Sequence, residues 1–455
     1  LTWLRVIALI GVYGGLLMPL VFIPIVIFPF VFSKLIAFQI LVGLTFPAYL
    51  TLAWMEPDVR PKRHLLFIGI CCYFAALGLS VLFAADPARA WWGNQERMNG
   101  LFTLLHFLAW LVMAVSLVKT ERAWRRLMNY EVVLSVIMAI VAILQRPFPK
   151  LLLFPASPRV GGLLDNPIYM AAYQIFNLFF IAWLAMRTKN RVAWGWYALA
   201  AVIDFTAFVL AQSRGGLLGL GVGLLIFAAS MSVLTKSRKV RWSIAGLILL
   251  AFTSYGVLFA FRHAPLIQRS PVARLLDFSG SDTTRFIAWR IAWEGFLEKP
   301  LVGWGFDNFH ILFNAKYNPY SLRFGAYETW FDRSHNWVLD ALAMTGLFGL
   351  LAFVGIFATL YVSVIRARRK GWLDTPTTAV MIALPMGYFV QNLFVFDHPA
   401  AFSMSFLLYA WVMAATRPGW GTGYAPDAEV KEKRHAFSWS VLALMFVPFL
   451  LLVWR

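Results

Sequence analysis

The chain has 455 residues, of which 61% are hydrophobic and 13% are charged, whereas about a quarter are charged in a typical soluble protein. Its mean hydropathy is +0.71 and its formal net charge is +19. This composition excludes a soluble globular enzyme. Because the apolar residues form unbroken runs and do not alternate with polar ones, it also excludes a membrane β-barrel. We therefore expect an all-α polytopic membrane protein.

Apolar runs long enough to cross a bilayer as helices recur along the whole chain, and we predict 12 or 13 transmembrane helices. The first run is too long for a cleavable signal peptide and predicts a span. The last run either spans the membrane or lies along its surface. The predicted spans are Val6–Phe32, Leu35–Met55, Leu65–Ala85, Leu101–Val118, Leu127–Leu144, Ile168–Met186, Ala193–Gln212, Gly215–Leu234, Ser243–Phe261, Trp337–Val364, Thr377–Phe396, Ala400–Ala415 and Phe437–Trp454.

Every second connection between these spans is short and basic, and six such connections hold 22 of the 40 Lys and Arg residues. The positive-inside rule places these connections in the cytoplasm together with the N-terminus, so the charge indicates topology and not nucleic-acid binding. The other connections then lie outside. The predicted domains are a first bundle of about nine spans (1–261), a large periplasmic loop with an amphipathic helix (262–336), and C-terminal transmembrane helices (337–455).

Arg214 lies in a tight turn between two spans on the outer side. One interpretation is an arginine whose side chain snorkels at the membrane surface. The other is an anion-binding residue, because Arg214 is on the wrong side for a topology anchor and begins a helix, whose N-terminus repels cations. The glycines that follow leave backbone N–H groups uncovered, which suits a bound anion.

Arg285 lies near the start of an amphipathic helix that Asp282 or Thr283 is predicted to cap. Arg290 belongs to a stripe of charged residues on one face of this helix, as expected for a solvated surface. Arg285 falls on the opposite, apolar face together with Trp289. A solvated surface therefore explains Arg290 but not Arg285.

His335 is predicted to begin the helix that crosses the membrane as Trp337–Val364, with Asp332 or Ser334 as the candidate helix cap. One interpretation is a histidine in a capping turn. The other is a base, because a helix N-terminus disfavours the imidazolium and keeps the ring neutral. The carboxylate of Asp332 would instead favour the imidazolium, or it would orient the ring, so both interpretations stay open. Three polar neighbours are candidates for supporting this histidine: Asp332, Arg333 and Asn336.

Arg214, Arg285 and His335 share one property: each is predicted at the N-terminal end of a helix on the outer side, where positive charge costs about 0.3–1 kcal/mol. A bound polyanion would reverse the sign of this energy. The outer segments contain no DxD-like pair of acidic residues, so we expect a phosphate held by arginine and not by metal. A diphosphate at the membrane border indicates a substrate linked to polyprenyl diphosphate, with no cofactor.

The segment HNWVLDALAMTGLFGL, residues 335–350, resembles the HN-x-x-L…G-x-x-G-L signature of the O-antigen ligase and polymerase superfamily. Further segments resemble the same superfamily, and the resemblance covers most of the chain from about Arg159 to Leu350. These segments are RVGG (159–162) followed by NP (166–167), SRGG (213–216), Arg285 with Trp289, PLVGWG (300–305) with NF (308–309), and WGNQERMNG (92–100), which resembles an external loop in a subset of these proteins.

The resemblance implies a metal-independent glycosyltransferase with a GT-C-like fold in the bacterial inner (cytoplasmic) membrane, with its active site facing the periplasm. Such enzymes move a glycan from undecaprenyl diphosphate to lipid A–core (ligases), to another glycan (polymerases) or to protein hydroxyls (protein O-oligosaccharyltransferases); we favour the ligase. By this resemblance His335 deprotonates or orients the acceptor hydroxyl, while Arg214 and Arg285 bind the diphosphate, with Arg159 as a further candidate. Direct attack predicts inversion at the anomeric carbon, and we expect a monomer.

Two other classes of protein fit parts of the pattern. A lipid-linked oligosaccharide flippase would carry charged residues deep within its spans, and Asp204 is the clearest such residue. One acid does not line a pathway, however, and hydrogen bonding between helices explains it at least as well. A purely structural assembly protein gives no reason for cations at three helix N-termini.

Overall fold

The computed structural model describes residues 1–152, 159–276, 283–324 and 329–420. Within these ranges the protein is helical and has no strand, which confirms the expected all-α fold. The helices are α1 (Thr2–Leu16), α2 (Phe32–Met55), α3 (Leu65–Leu82), α4 (Pro87–Trp92), α5 (Leu101–Leu117), α6 (Glu121–Leu144), α7 (Pro167–Arg187), α8 (Arg191–Leu210), α9 (Arg214–Leu234), α10 (Arg238–Ala260), α11 (Pro265–Gln268), α12 (Ala273–Leu276), α13 (Thr283–Glu298), α14 (Phe309–Ala315), α15 (Trp337–Arg369), α16 (Thr375–Asn392) and α17 (Pro399–Ala415).

Each of the first twelve predicted spans overlaps a helix, and the last, Phe437–Trp454, lies outside the described residues. Among the described helices, eight are long and apolar enough to cross a membrane: α2, α3, α6, α7, α8, α9, α10 and α15. Three more, α1, α5 and α17, are apolar but shorter. The chain is therefore a multi-pass helical membrane protein, as its composition indicated.

The first predicted span, Val6–Phe32, is wrong because it is not a single helix. α1 ends at Leu16, and α2 begins only at Phe32. The residues between them include three prolines, which lack a backbone donor and prevent the helix from continuing: Pro19, Pro24 and Pro29.

The predicted span Thr377–Phe396 ends four residues too late. α16 stops at Asn392, and residues 393–398, which we call the 393–398 connection, lead into α17. Four residues of this connection are apolar and continue the hydropathy signal of the helix, although their backbone has left it. Hydropathy therefore does not mark this helix end, which matters because the connection proves central to the site.

The basic connections gather at one end of the helix bundle. Lys119, between α5 and α6, donates from Nζ to the backbone oxygen of Asp58, between α2 and α3, at 2.9 Å. Arg187, at the end of α7, forms ion pairs with Glu121 at the start of α6 and with Asp374 just before α16. Three contacts thus join four of the basic connections, those between α2 and α3, α5 and α6, α7 and α8, and α15 and α16.

The remaining basic connections belong to the same end. Thr375 Oγ1 donates to the backbone oxygen of Leu234 at 3.5 Å, which places the connection after α9 there. His64 Nε2 lies 2.8 Å from Thr416 Oγ1, which adds the end of α17. The alternation of charge along the sequence therefore corresponds to two opposite ends of one bundle, which we call the basic end and the site end.

α15 is interrupted at Gly346, whose φ of +63° and ψ of −163° are not helical. Residues 300–305 of the long loop fill the interruption. The N–H groups of Leu347 and Phe348 donate to Pro300 O and Leu301 O at 2.7 and 3.2 Å, and those of Trp304 and Gly305 donate to Ala343 O and Met344 O, each at 2.9 Å. Because backbone groups at membrane depth must be satisfied within the protein, the loop completes the broken helix.

Glycine is required on both sides of this junction. A Cβ on Gly346 would lie 2.4 Å from the carbonyl of Leu301, and a Cβ on Gly303 would lie 2.4 Å from the carbonyl carbon of Met344. The PLVGWG and G-x-x-G segments, which carry part of the family resemblance, therefore anchor the long loop to α15.

Candidate functional site

Arg285 and the start of α9 meet at the 393–398 connection. Arg214 is the first residue of α9, as predicted, and Ser213 caps this helix by accepting from a backbone N–H at 3.1 Å. A Cβ on the next residue, Gly215, would lie 3.3 Å from Phe394 Cβ. Arg285 Nη1 donates to the backbone oxygen of Phe394 at 3.1 Å. One residue of the connection therefore touches both predicted arginine sites.

His335 reaches the same connection two residues further on. Its ring packs edge-on against Phe396, with the ring centroids 4.9 Å apart. The adjacent Asn336 donates from Nδ2 to the backbone oxygen of Leu393 at 3.1 Å. The 393–398 connection thus brings together three candidates that are far apart in sequence, and it does so with residues that the hydropathy pattern assigned to a membrane span.

The two faces of α13 agree with those predicted. Arg290 is exposed and pairs with Glu294 at 2.8 Å, as expected for a solvated stripe. Ala288 and Ala292 are fully buried, and Arg285, on their side of the helix, is half-buried. Asp282, one of the two candidate caps, lies outside the described residues. Arg285 therefore points toward the protein and not to open solvent.

Four arginines form a cluster of like charge at the site end: Arg159, Arg214, Arg274 and Arg285. Arg159 Nε donates to the backbone oxygen of Ala211, just before α9, and Arg214 Nε donates to the backbone oxygen of Arg274, both at 3.1 Å. Burial and the proximity of the other three arginines lower the pKa of Arg159 to about 10. Such a concentration of positive charge favours a ligand with several negative charges.

His335 is a neutral histidine beside this cluster. Burial first, and then the charge of Arg285, lower its pKa to about 4, against the opposing effects of the Arg333 backbone and Asp332. Nδ1 lies 3.2 Å from the backbone oxygen of Arg333. Because a carbonyl only accepts, this contact assigns the proton of the neutral ring to Nδ1 and leaves Nε2 able to accept one.

The backbone of His335 has a φ of +59°, in the left-handed region that residues other than glycine rarely adopt. The helix begins after it: Asn336 is the cap of α15, and its side-chain oxygen accepts from two backbone N–H groups of the first turn, each at 3.1 Å. The prediction that Asp332 or Ser334 caps this helix is wrong. The capping geometry places His335 outside the helix, beside the 393–398 connection.

Asp332 is ion-paired with an arginine that the sequence analysis did not single out. Arg97, between α4 and α5, donates to Asp332 from Nε at 2.6 Å and from Nη2 at 3.1 Å, and from Nη1 to the hydroxyl of Tyr169 at 2.9 Å. Burial lowers the pKa of Arg97, but Tyr169 and Asp332 raise it above its ordinary value. Burial raises the pKa of Asp332, yet Arg97 outweighs this effect and lowers it.

Arg333 is also occupied by a carboxylate. Its Nη2 donates to Asp307 Oδ1 at 2.5 Å, and the other oxygen of Asp307 accepts from the backbone N–H of Asn94 at 2.9 Å. The supporting candidates near His335 therefore hold chain segments together, through Arg97, Asp307 and the cap of α15. Arg97 was visible within the WGNQERMNG segment, but its partner lies 235 residues away.

A polar cavity of about 200 Å³ opens next to His335. Its lining includes Glu96, Asn99, Asp165, Asp397 and His398. Asp397 and His398 were also missed, although an acid and a histidine between two apolar spans are a signal for function. Burial raises the pKa of Asp397 to about 7 and lowers the pKa of His398 well below its ordinary value.

Asp204 has the structural role that the sequence left open. It is fully buried in α8 and accepts a hydrogen bond from Ser135 of α6 at 2.7 Å. A second buried acid, Glu131 of α6, accepts from the hydroxyl of Tyr173 in α7 at 2.6 Å. These contacts join neighbouring helices, as the hydrogen-bonding interpretation of Asp204 expects.

The fold and the site define a multi-pass membrane protein with a cluster of arginines, a neutral histidine and a polar cavity at one end of its helix bundle. Residues 199–354 match the family model described as O-antigen ligase. This segment contains Arg214, Arg285, His335 and the loop junction with α15, and the match confirms the resemblance of the motifs within it to the O-antigen ligase superfamily. The family indicates an enzyme of the ligase or polymerase type. The comparison with curated proteins finds no match.

Proposed function

We propose that the protein is a glycosyltransferase that moves a glycan (O-antigen) from undecaprenyl diphosphate to a hydroxyl of lipid A–core. The observation that carries the proposal is that the 393–398 connection brings Arg285, the start of α9 and His335 together at the end of the bundle opposite the basic connections. By the positive-inside rule, the basic end faces the cytoplasm and the site end faces the periplasm of a bacterial inner membrane. The donor glycan is presented on that side.

In this proposal the clustered arginines bind the diphosphate of the donor. Guanidinium groups donate paired N–H groups to phosphate oxygens, a geometry that lysine does not reproduce. Arg214 and Arg285 come from two different helices, α9 and α13, and approach the 393–398 connection together, with Arg159 nearby. As the bond between the sugar C1 and the diphosphate oxygen breaks, the arginines stabilise the charge that develops on the leaving group.

His335 acts on the acceptor. Its Nε2 accepts the proton of the acceptor hydroxyl while that oxygen forms the new bond to C1. The electron pair of the broken C1–O bond leaves with undecaprenyl diphosphate, and the proton passes from His335 to water. Attack from the face opposite the leaving group inverts the anomeric configuration.

The low pKa of His335 in the free protein suits this order of events. A bound diphosphate places negative charge next to Arg285, whose positive charge contributes to the low pKa of His335. Binding of the donor therefore raises the pKa of His335 and makes it a stronger base. The base is strengthened when the leaving group is in place.

The test is transfer in vitro by the full-length protein in lipid nanodiscs. A defined glycan on undecaprenyl diphosphate is offered lipid A–core, a second lipid-linked glycan and a protein acceptor in one reaction. We expect the glycan on lipid A–core, in an inverted linkage, and no such product with His335→Ala. A product on the second glycan would make the protein a polymerase, and one on Ser or Thr a protein transferase. In a parallel assay with sealed proteoliposomes, movement of intact donor across the bilayer without any new bond would contradict the enzyme.

A further inference from the structure

The cavity beside His335 is chemically unlike the arginine cluster. In the described part of the chain, none of Arg159, Arg214, Arg274 and Arg285 lines it. The arginine that does line it, Arg97, is ion-paired with Asp332 at 2.6 Å. Two exposed residues do: Glu96, on the connection before α5, and Asp165, on the connection before α7. No hydrogen bond or ion pair among the described residues engages either carboxylate. His335 thus stands between a cationic surface and a cavity with free acidic groups.

Two deeply buried atoms of the cavity lining lack a hydrogen-bond partner among the described residues: Asn99 Oδ1 and His398 Nε2. Asn99 and His398 are only 4% and 3% exposed. Buried polar atoms are nearly always satisfied by protein, water or ligand, so both atoms require a polar partner, and the cavity that their residues line has room for one.

The hydrogen bonds of the second polar atom in each side chain, His398 Nδ1 and Asn99 Nδ2, show whether the unpartnered atom is a donor or an acceptor. His398 Nδ1 accepts from the backbone N–H of Ala400 at 3.3 Å, so the neutral ring carries its hydrogen on Nε2, which is a donor. Asn99 Nδ2 donates to the backbone oxygen of Asp397 at 3.3 Å, so its Oδ1 is an acceptor. A ligand with hydroxyl groups satisfies both, because a hydroxyl donates and accepts.

The size of the cavity and the charge of its lining restrict the class of ligand further. A volume of about 200 Å³ exceeds the ~150 Å³ of an engineered cavity that holds a benzene ring, so a single sugar ring fits. The free carboxylates of Glu96 and Asp165 accept from hydroxyl groups but repel a phosphate. The occupant that agrees with all of these features is a neutral monosaccharide unit.

We propose that this cavity is the acceptor subsite and that it selects a neutral, hydroxyl-bearing sugar over a phosphorylated one. The inference rests on the proposed function. Glu96 and Asp165 accept from hydroxyls of the acceptor sugar, while His398 and Asn99 fix its buried side. Because His335 lines the same cavity, the attacking hydroxyl lies between this subsite and the arginine cluster.

The experiment compares two acceptors that differ only in a phosphate on the terminal sugar. Full-length protein in nanodiscs is assayed with a saturating donor as wild type, Glu96→Gln, Asp165→Asn and the double variant. We expect each single variant to raise KM for the neutral acceptor about fivefold, with kcat and the KM of the donor unchanged. The preference for the neutral acceptor should fall about tenfold in the double variant, since repulsion of the phosphate is lost.

Glu298→Gln is the matched control, because this carboxylate at the end of α13 pairs with Lys316 and does not line the cavity. It should leave both acceptors unaffected. Binding of the two core oligosaccharides without donor, measured by calorimetry, tests the cavity independently of turnover. Equal affinity of wild type and the double variant for both oligosaccharides would overturn the inference, as would a changed KM for the donor. Absence of transfer by wild type, with selective binding intact, would contradict the proposed function and not the subsite.

Discussion

The site end contains two groups of arginines with opposite surroundings. Arg97 and Arg333 each lie against a carboxylate, that of Asp332 at 2.6 Å and that of Asp307 at 2.5 Å, and these pairs join segments that are distant in the sequence. Arg159 lies among other arginines, and burial together with their charge lowers its pKa. The paired arginines fix the positions of loops, whereas the clustered arginines are those that we propose to bind the diphosphate. The kind of neighbour that an arginine has, a carboxylate or further arginines, distinguishes the two groups.

His335 lies between the two groups, and its replacement should have the largest effect. We expect His335→Ala to lower kcat by about 10²–10⁴-fold, because the general base is lost. Donor affinity should stay close to that of wild type, measured by binding of a labelled lipid-linked glycan. His263→Ala, an exposed histidine in the long loop, is the control. Lost donor binding with unchanged chemistry would rule out the role of base.

The clustered arginines are tested by Arg214→Lys and Arg285→Lys, which keep the charge but lose the paired N–H groups. Each should lower kcat/KM by about 10²–10³-fold and weaken donor binding, because the leaving diphosphate is held less well. Arg290→Lys is the matched control, since Arg290 is exposed on the same helix as Arg285 and pairs with Glu294. Full activity in both variants would falsify the diphosphate site.

An arginine that is ion-paired with a carboxylate should respond differently to the same kind of substitution. Arg97→Lys loses most of the contacts to Asp332 and Tyr169, so we expect the free energy of unfolding to fall by about 1–3 kcal/mol. Donor affinity should be unchanged. Thermal unfolding and donor binding in nanodiscs measure the two quantities, again with Arg290→Lys for comparison. A variant of normal stability and weakened donor binding would place Arg97 with the clustered arginines.

The pH dependence probes the influence of the cluster on His335. The value of kcat/KM, which reports the free protein, should fall only as pH drops through about 4, where His335 becomes protonated. The acid limb of kcat should lie at higher pH, because the negative diphosphate in the complex raises the pKa of His335. Initial rates between acid and neutral pH give both limbs. Coincident limbs would show that the donor does not bind next to His335.

Chelators should have the smallest effect. If arginines hold the diphosphate, ethylenediaminetetraacetate should leave the transfer rate unchanged within the error of the assay. The control adds excess Mg²⁺ to the treated protein. A rate that falls with chelator and returns with the ion would contradict an arginine-held diphosphate.

The sequence predicted those parts of the candidate site that depend on patterns within a few neighbouring residues. Arg214 and Arg285 were recognisable because helix starts, glycines and helix faces are encoded within a few residues. The pair of Arg97 and Asp332 was not, since a contact across 235 residues has no periodic signature. Hydropathy located the spans but not the end of α16. Phe394 and Phe396 are apolar residues that contact Arg285 and His335, so they extend the hydropathy signal beyond the helix.

The interruption of α15 was equally invisible, although both of its glycines stood in recognised segments. Gly346 looks like an ordinary small residue of a membrane helix until Leu301 is placed against it. Two segments about 40 residues apart must be folded together before either explains the other. Sequence patterns thus indicated that these glycines mattered, and the structure supplies the reason.

The junction at Gly346 also determines when conformational entropy is lost. The stretch from Gly305 to His335 is closed onto one helix, by hydrogen bonds from the loop at one end and by the cap of α15 at the other. The entropy of closing this loop is lost when the protein folds and not when a substrate binds. In the proposed reaction, His335 is in place before the donor and acceptor bind, so more of their binding free energy is left to lower the barrier to transfer.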